Sequence, residues 1–241
     1  MTIPFHRLLV VETRKLFDTR SAKLITAILL VLTVAAIFSR GLYAGPDLRR
    51  LIWTAGIGYG TLLPVLGILT VTSEWSHRTA LTTFALEPRR WRVMAAKSVP
   101  PMLAAAVASL FAMLVALPAT AVTGALQGVP AEWNATPAAL AGWAATNILF
   151  VTSGVAVGAL LLNGPAAIVI CLASTMLWNI IALLGTTGET LATWLDLNRT
   201  TTPLITGELT GADAARLATS AAFWIAIPLA GIARVSRREI K

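Results

Sequence analysis

A chain of 241 residues that is 56% hydrophobic and 12% charged has more apolar side chain than a soluble fold of that size buries, since soluble domains carry about 25% charged residues. Its net charge of +8 would suit nucleic acid. The basic residues, however, fall in short segments between apolar runs, where they anchor a chain to anionic lipid head groups. Composition and charge therefore exclude a soluble enzyme and a nucleic-acid-binding protein, and they indicate one membrane domain over 1–241 with the lipid bilayer as its partner.

The spacing of charge predicts the elements. No Asp, Glu, Lys or Arg occurs between Arg50 and Glu74, Lys97 and Glu132, Glu132 and Glu189, or Arg216 and Arg234. About 20 apolar residues, rising about 1.5 Å each, cross a hydrocarbon core about 30 Å thick. The pattern predicts an all-α membrane protein with six transmembrane helices. The first covers 22–38, with Lys23 snorkelling at its end. The second covers 51–72. The third covers 99–122 and is entered through Pro100-Pro101, a position where a first turn tolerates proline. The fourth covers 138–162. A tight turn at Asn163-Gly164-Pro165 leads into the fifth, which runs to 184. The sixth covers 212–233, opened by a capping box in Thr210-Gly211-Ala212-Asp213. The intervening segment 185–211 is too apolar for a free outer loop: Leu191, Trp194, Leu195, Leu197, Leu204 and Ile205 suggest a piece dipping back into the outer interface.

Fourteen of the 19 Lys and Arg lie in the N-terminal segment, between the second and third helices, or in the tail at 234–241. The other five are Arg40, Arg49, Arg50, Arg199 and Arg216. The positive-inside rule then places both termini of this multi-pass chain in the cytoplasm. Gly56 and Gly60, like Gly154 and Gly158, have the spacing that lets helix backbones approach closely, within one bundle or, for the second helix, across a dimer axis. Tyr59, Thr61, Thr175 and Asn179 are polar and near mid-membrane, which makes them candidates for lining a substrate pathway; Asn179 serves equally as an interhelical hydrogen-bonding residue.

Several chemistries lack their residues. The only histidines are His6 and His77, there is no H-E-x-x-H, G-x-S-x-G or Cys/His metal spacing, and the single Cys171 lies in an apolar run. No Gly-Lys dipeptide offers a phosphate-cradling loop, so any ATP bound in the service of this chain binds on another chain. No predicted span has an ionisable group near its centre, which lowers the reading of an ion-coupled carrier.

The segment 73–97 carries the strongest signal. A helix-compatible run at 79–86 breaks at Glu87-Pro88, and a second helix starts with Pro88 at its first position. Such a knob suits the docking of a soluble partner or the anchoring of lipid. Ser73-Glu74, Arg78-Thr79, Pro88-Arg89-Arg90 and Ala96-Lys97 resemble the loop of the type-2 ABC transporter permease family, in the His77-Arg78-Thr79 form common in high-GC Gram-positive bacteria. Glu12, Lys15-Leu16 and Arg20 are similar to that family's amphipathic elbow helix, here over 1–21, with Phe5, Leu8, Leu9 and Leu16 as its lipid face and Glu12 interrupting the stripe. The resemblance covers the whole chain in architecture and is specific over 73–97.

That resemblance implies a permease subunit in a bacterial cell membrane. It implies pairing with a second permease chain, identical or different, and docking of a separate ABC ATPase subunit that holds ATP and Mg; this chain itself carries no cofactor and no catalytic residue. The cargo implied is a small amphipathic molecule, drug, lipid or peptide, exported as in multidrug efflux. Glu74, Arg78, Thr79, Leu81, Phe84, Pro88 and Arg89 would couple the ATPase to the membrane helices, and 185–211 would form re-entrant helices. As local physics, Glu74 and Arg78 at i and i+4 form a simple helical ion pair. The alternative readings are an ion-coupled secondary transporter and a non-transporting membrane scaffold or sensor.

Overall fold

The computed structural model describes residues 4–18, 20–76 and 89–237. Among them are nine helices: α1 (Phe5–Asp18), α2 (Arg20–Ala44), α3 (Leu48–Ser76), α4 (Arg90–Gln127), α5 (Pro137–Leu161), α6 (Gly164–Ala182), α7 (Thr186–Leu195), α8 (Leu197–Thr206) and α9 (Gly211–Arg237). Four of them, α2 to α5, are long and apolar enough to cross a membrane, and α6 adds a fifth if its two halves, bent by 45°, form one span. The chain is an all-helical membrane protein.

The pair α3 and α5 forms the centre of the bundle. On one side α2 and α4 pack against them; on the other, α9 and α8 pack on α5 while α6 packs on α3. Small residues allow this approach. A Cβ on Gly67 would lie 2.6 Å from the Val151 carbonyl, and one on Gly154 would collide with the backbone of Pro64. The Gly154/Gly158 spacing is thus spent within the bundle, whereas in the other pair an added Cβ on Gly56 would meet only Trp143 Nε1, at 3.8 Å, and one on Gly60 nothing within 4 Å. At mid-bundle, buried Tyr59 donates its hydroxyl to the Ala108 carbonyl at 2.7 Å and accepts from Thr33 Oγ1 at 3.2 Å. Its ring lies 5.4 Å from that of Trp143. Asn147 donates to Ser109 Oγ at 3.0 Å. Each of these bonds joins two helices in surroundings where an unmet polar group is costly.

Helix α4 departs from its expected bounds. It begins at Arg90 and carries Pro100, Pro101 and Pro118 in its interior, over 38 residues, so it is about 57 Å long at about 1.5 Å per residue. An interior proline costs a helix about 3 kcal/mol. Packing outweighs that here: Val93, Met94, Ala96 and Lys97, all upstream of the prolines, are at most 1% exposed, and α1 lies against the helix. Farther along, Leu103, Val107, Leu110, Leu114 and Leu117 are exposed at intervals of three and four residues, the stripe that a lipid-facing helix presents.

The termini follow local rules. Thr136 caps α5, accepting from the Ala139 amide at 3.2 Å, and Asn163 caps α6, accepting from Ala166 at 3.1 Å. Between these helices Leu162 takes a left-handed conformation, φ 54°, which closes α5 with a bond from its amide to the Gly158 carbonyl. The predicted capping box at α9 forms: the amides of Thr210 and Asp213 each bond the other's side chain at 3.3 Å. Segment 185–211 folds into two short helices meeting at Asp196, and a Cβ on Gly142 of α5 would strike the backbone of Leu204 in α8.

Candidate functional site

Four charged side chains meet where α1, the end of α3 and the start of α4 converge. Lys97 Nζ lies 2.7 Å from Glu12 Oε2 and 2.9 Å from Glu74 Oε1. Lys15 Nζ lies 2.9 Å from Glu12 Oε1 and 2.6 Å from Glu74 Oε1. The result is a closed ring of alternating sign and zero net charge. Glu12, Glu74 and Lys97 are 4%, 5% and 1% exposed, while the Lys15 side chain keeps 43% of its surface.

Each element supplies its member for a local reason. Glu12 and Lys15 stand three apart, on neighbouring positions of one helix face. Leu16, one turn beyond Glu12, turns the same way and packs on Leu66 of α3 and Ala104 of α4. This corrects the expected lipid face of α1: Glu12 does not interrupt a lipid stripe but belongs to an inward one, and the exposed apolar residues are Phe5, Val10, Val11 and Phe17. Lys97 ends the upstream part of α4, one turn before its prolines. Burial pulls the Lys15 ammonium down, but its hydrogen bonds to Glu74 and Glu12 and their charges outweigh that, and its pKa stands above the ordinary 10.5.

Desolvating charges costs several kcal/mol per ion, so a buried pair needs close geometry and complete partnering; removing one partner then costs about 3–5 kcal/mol. The ring gives each lysine two carboxylates at close range. Its chemistry is that of a lock. It fastens the two roots of segment 77–88 to each other and both to α1.

Of the residues expected to couple a partner, Glu74 is in this ring and Arg89 stands exposed as the residue capping α4; Arg78, Thr79, Leu81, Phe84 and Pro88 lie outside the described residues. Glu74 is held by Lys15 and Lys97; its expected partner Arg78 is among the residues outside that description. The expected pathway residues stand in different surroundings. Tyr59 is buried in the interhelical contacts above, Thr61 is exposed and donates to Gly58 of its own helix at 3.0 Å, Asn179 is exposed, and the Thr175 side chain is outside the description. The pairing of Glu12, Lys15 and Lys97 with Glu74 was missed by sequence reasoning. Its signal was the isolation of Glu12 after Val10-Val11 and of Lys97 between Ala95-Ala96 and Ser98-Val99.

No family model matches the chain, and no curated protein matches it.

Proposed function

We propose that this chain is the permease subunit of an ATP-driven exporter of the type-2 ABC kind, working as a dimer with a separate ATPase. The observation that carries the reading is the ring of Glu12, Lys15, Glu74 and Lys97. A cytoplasmic segment that receives force from a partner must not slide against the helices it moves, and this ring ties both of its roots to α3, α4 and α1. In this reading α1 is the elbow helix along the inner leaflet, with Phe5, Val10, Val11 and Phe17 toward lipid. Helices α6 and α9 complete six spans, and both termini are cytoplasmic. The exported molecule is small and amphipathic, and Glu74 passes force from the coupling loop into α3.

The test is extraction from the native membrane in mild detergent and mass spectrometry of what co-purifies. A stoichiometric subunit with a phosphate-binding Gly-Lys loop is expected; a homo-oligomer without any ATPase sinks the proposal. In the assembled complex, Glu74→Gln should leave subunit stoichiometry unchanged and lower substrate-stimulated ATP hydrolysis several-fold. Unchanged stimulation would remove Glu74 from the coupling path. A second reading, an ion-coupled carrier, is favoured by one observation: a buried carboxylate, Asp196, at the junction of α7 and α8.

A further inference from the structure

The junction of α7 and α8 carries that carboxylate into the helix bundle. Asp196 is 3% exposed. The neighbouring Leu195 carbonyl accepts from Ser220 Oγ and Trp224 Nε1 of α9, each at 3.3 Å. Those two residues lie about 14 and 20 Å along α9 from its first residue, at about 1.5 Å per residue. The junction therefore sits well inside the bundle, although every residue of it belongs to a segment between spans.

A cavity of about 50 Å³ lies beside Asp196, between α3, α5, α6 and α9; Asn198, Ser153, Ser174, Trp178 and Trp224 contribute to its wall. A water needs about 10–15 Å³ of such space, so the cavity holds a small ion or an ammonium head group but not a whole drug. Its wall suits a cation. Asp196 Oδ1 accepts from the Asn198 amide at 3.0 Å, capping α8, while Oδ2 faces Arg199 Nε at 3.8 Å, beyond hydrogen-bond range. Arg199 is engaged elsewhere, 2.8 Å from Glu189 Oε1. Two carboxylates thus share one guanidinium, and the trio carries one net negative charge. The C-terminus of α7 and the N-terminus of α8 meet here, so their opposite partial charges offset each other and leave that charge standing. The Ser153 and Ser174 hydroxyls donate to carbonyls of their own helices at 2.7 Å, which leaves their oxygens as acceptors, and indole rings attract cations. Ionisable groups at membrane depth are costly and mark ion or substrate paths, and breaks between short helices are where such sites are built.

We propose that this cavity binds a small monovalent cation, either an alkali ion or the ammonium head of an amphipathic amine, with Asp196 as its counter-charge. The site stands on its own geometry; only the naming of an amine as cargo rests on the permease reading.

The test is titration of the full purified chain in lipid nanodiscs, read by tryptophan fluorescence, with butylammonium, sodium and potassium chlorides and with neutral butanol as control. Saturable binding of a cation but not of butanol is expected. Butylammonium alone saturating identifies an amine head; sodium or potassium saturating identifies an alkali ion. Asp196→Asn, which keeps a good helix cap, should raise the Kd at least tenfold. Glu189→Gln, at a side chain 57% exposed, should release Arg199 to Asp196 and raise the Kd several-fold with the fold intact, so the proposal remains testable if Asp196→Asn does not fold. It is overturned if no cation saturates, if butanol titrates as butylammonium does, or if both variants bind like the parent chain. Failure to co-purify an ATPase leaves these titrations unchanged, so the two readings fall separately.

Discussion

Lys97 shows how a single position is governed by its partners. At 1% exposure it sits between two carboxylates, and Lys97→Met would take from Glu12 and Glu74 the buried ammonium they share. A loss of about 3–5 kcal/mol is expected, measured as a fall in the unfolding midpoint of the detergent-solubilised chain. Lys15→Met, at the half-exposed corner, should cost about 1 kcal/mol or less; equal losses would refute the picture of an inner and an outer lysine. A raised folded-state pKa means that the Lys15 contribution is complete below about pH 10.5 and disappears as pH rises through the higher folded value. The midpoint difference between the parent chain and Lys15→Met should therefore hold up to about pH 10 and shrink above it. A difference that grows with alkali would contradict the assignment. Glu12 and Lys97 stand out in the sequence as charges beside apolar residues, but their partners do not. Glu12 and Lys97 are 85 positions apart, and nothing local favours that pair over Glu74 with Arg78.

At the scale of the helices, the central contact depends on the absence of side chain. Gly154→Ala puts a methyl group into the backbone of Pro64. Overpacking of this kind costs about 1–3 kcal/mol, so Gly154→Ala should lower the midpoint clearly, while Gly60→Ala, with open space around it, should not. Similar effects of the two would mean that α3 and α5 are not packed as described. Both glycine pairs show the same spacing in the sequence. Only the neighbouring helix shows which pair is packed tightly within the bundle, because spacing names a helix face but not what covers it. The start of α4 has the same lesson. Local rules mark helix starts at both Pro88 and Pro100-Pro101, and the burial of Met94 and Ala96 goes with one continuous helix that runs through the second pair.

For the molecule as a whole, the number of crossings decides the sides of its ends. Four helices are long and apolar enough to cross a membrane, α6 adds a fifth if its two halves form one span, and α9, with 27 residues, has the length for a sixth. Reporter fusions at the two termini distinguish five from six. Six crossings put both reporters in the cytoplasm, as the distribution of Lys and Arg predicts. Reporters on opposite sides would exclude α9, or α6, as a complete span.

The sequence by itself determined the solvent of this protein. Charge gaps of membrane length force helices, because only a helix satisfies its own backbone where water is absent, and the capping box at Thr210 could be placed because its partner Asp213 lies three residues away. It also marked 185–211 as too apolar to be a free loop. Tertiary structure alone decided where polar groups end up. A carboxylate in a segment between spans reads as an outer residue, yet the hydrogen bonds of Leu195 to α9 bring Asp196 inside the bundle. The reason is physical: local rules act over one helical turn, whereas desolvation depends on everything that surrounds a charge, and that is known only once the helices have met.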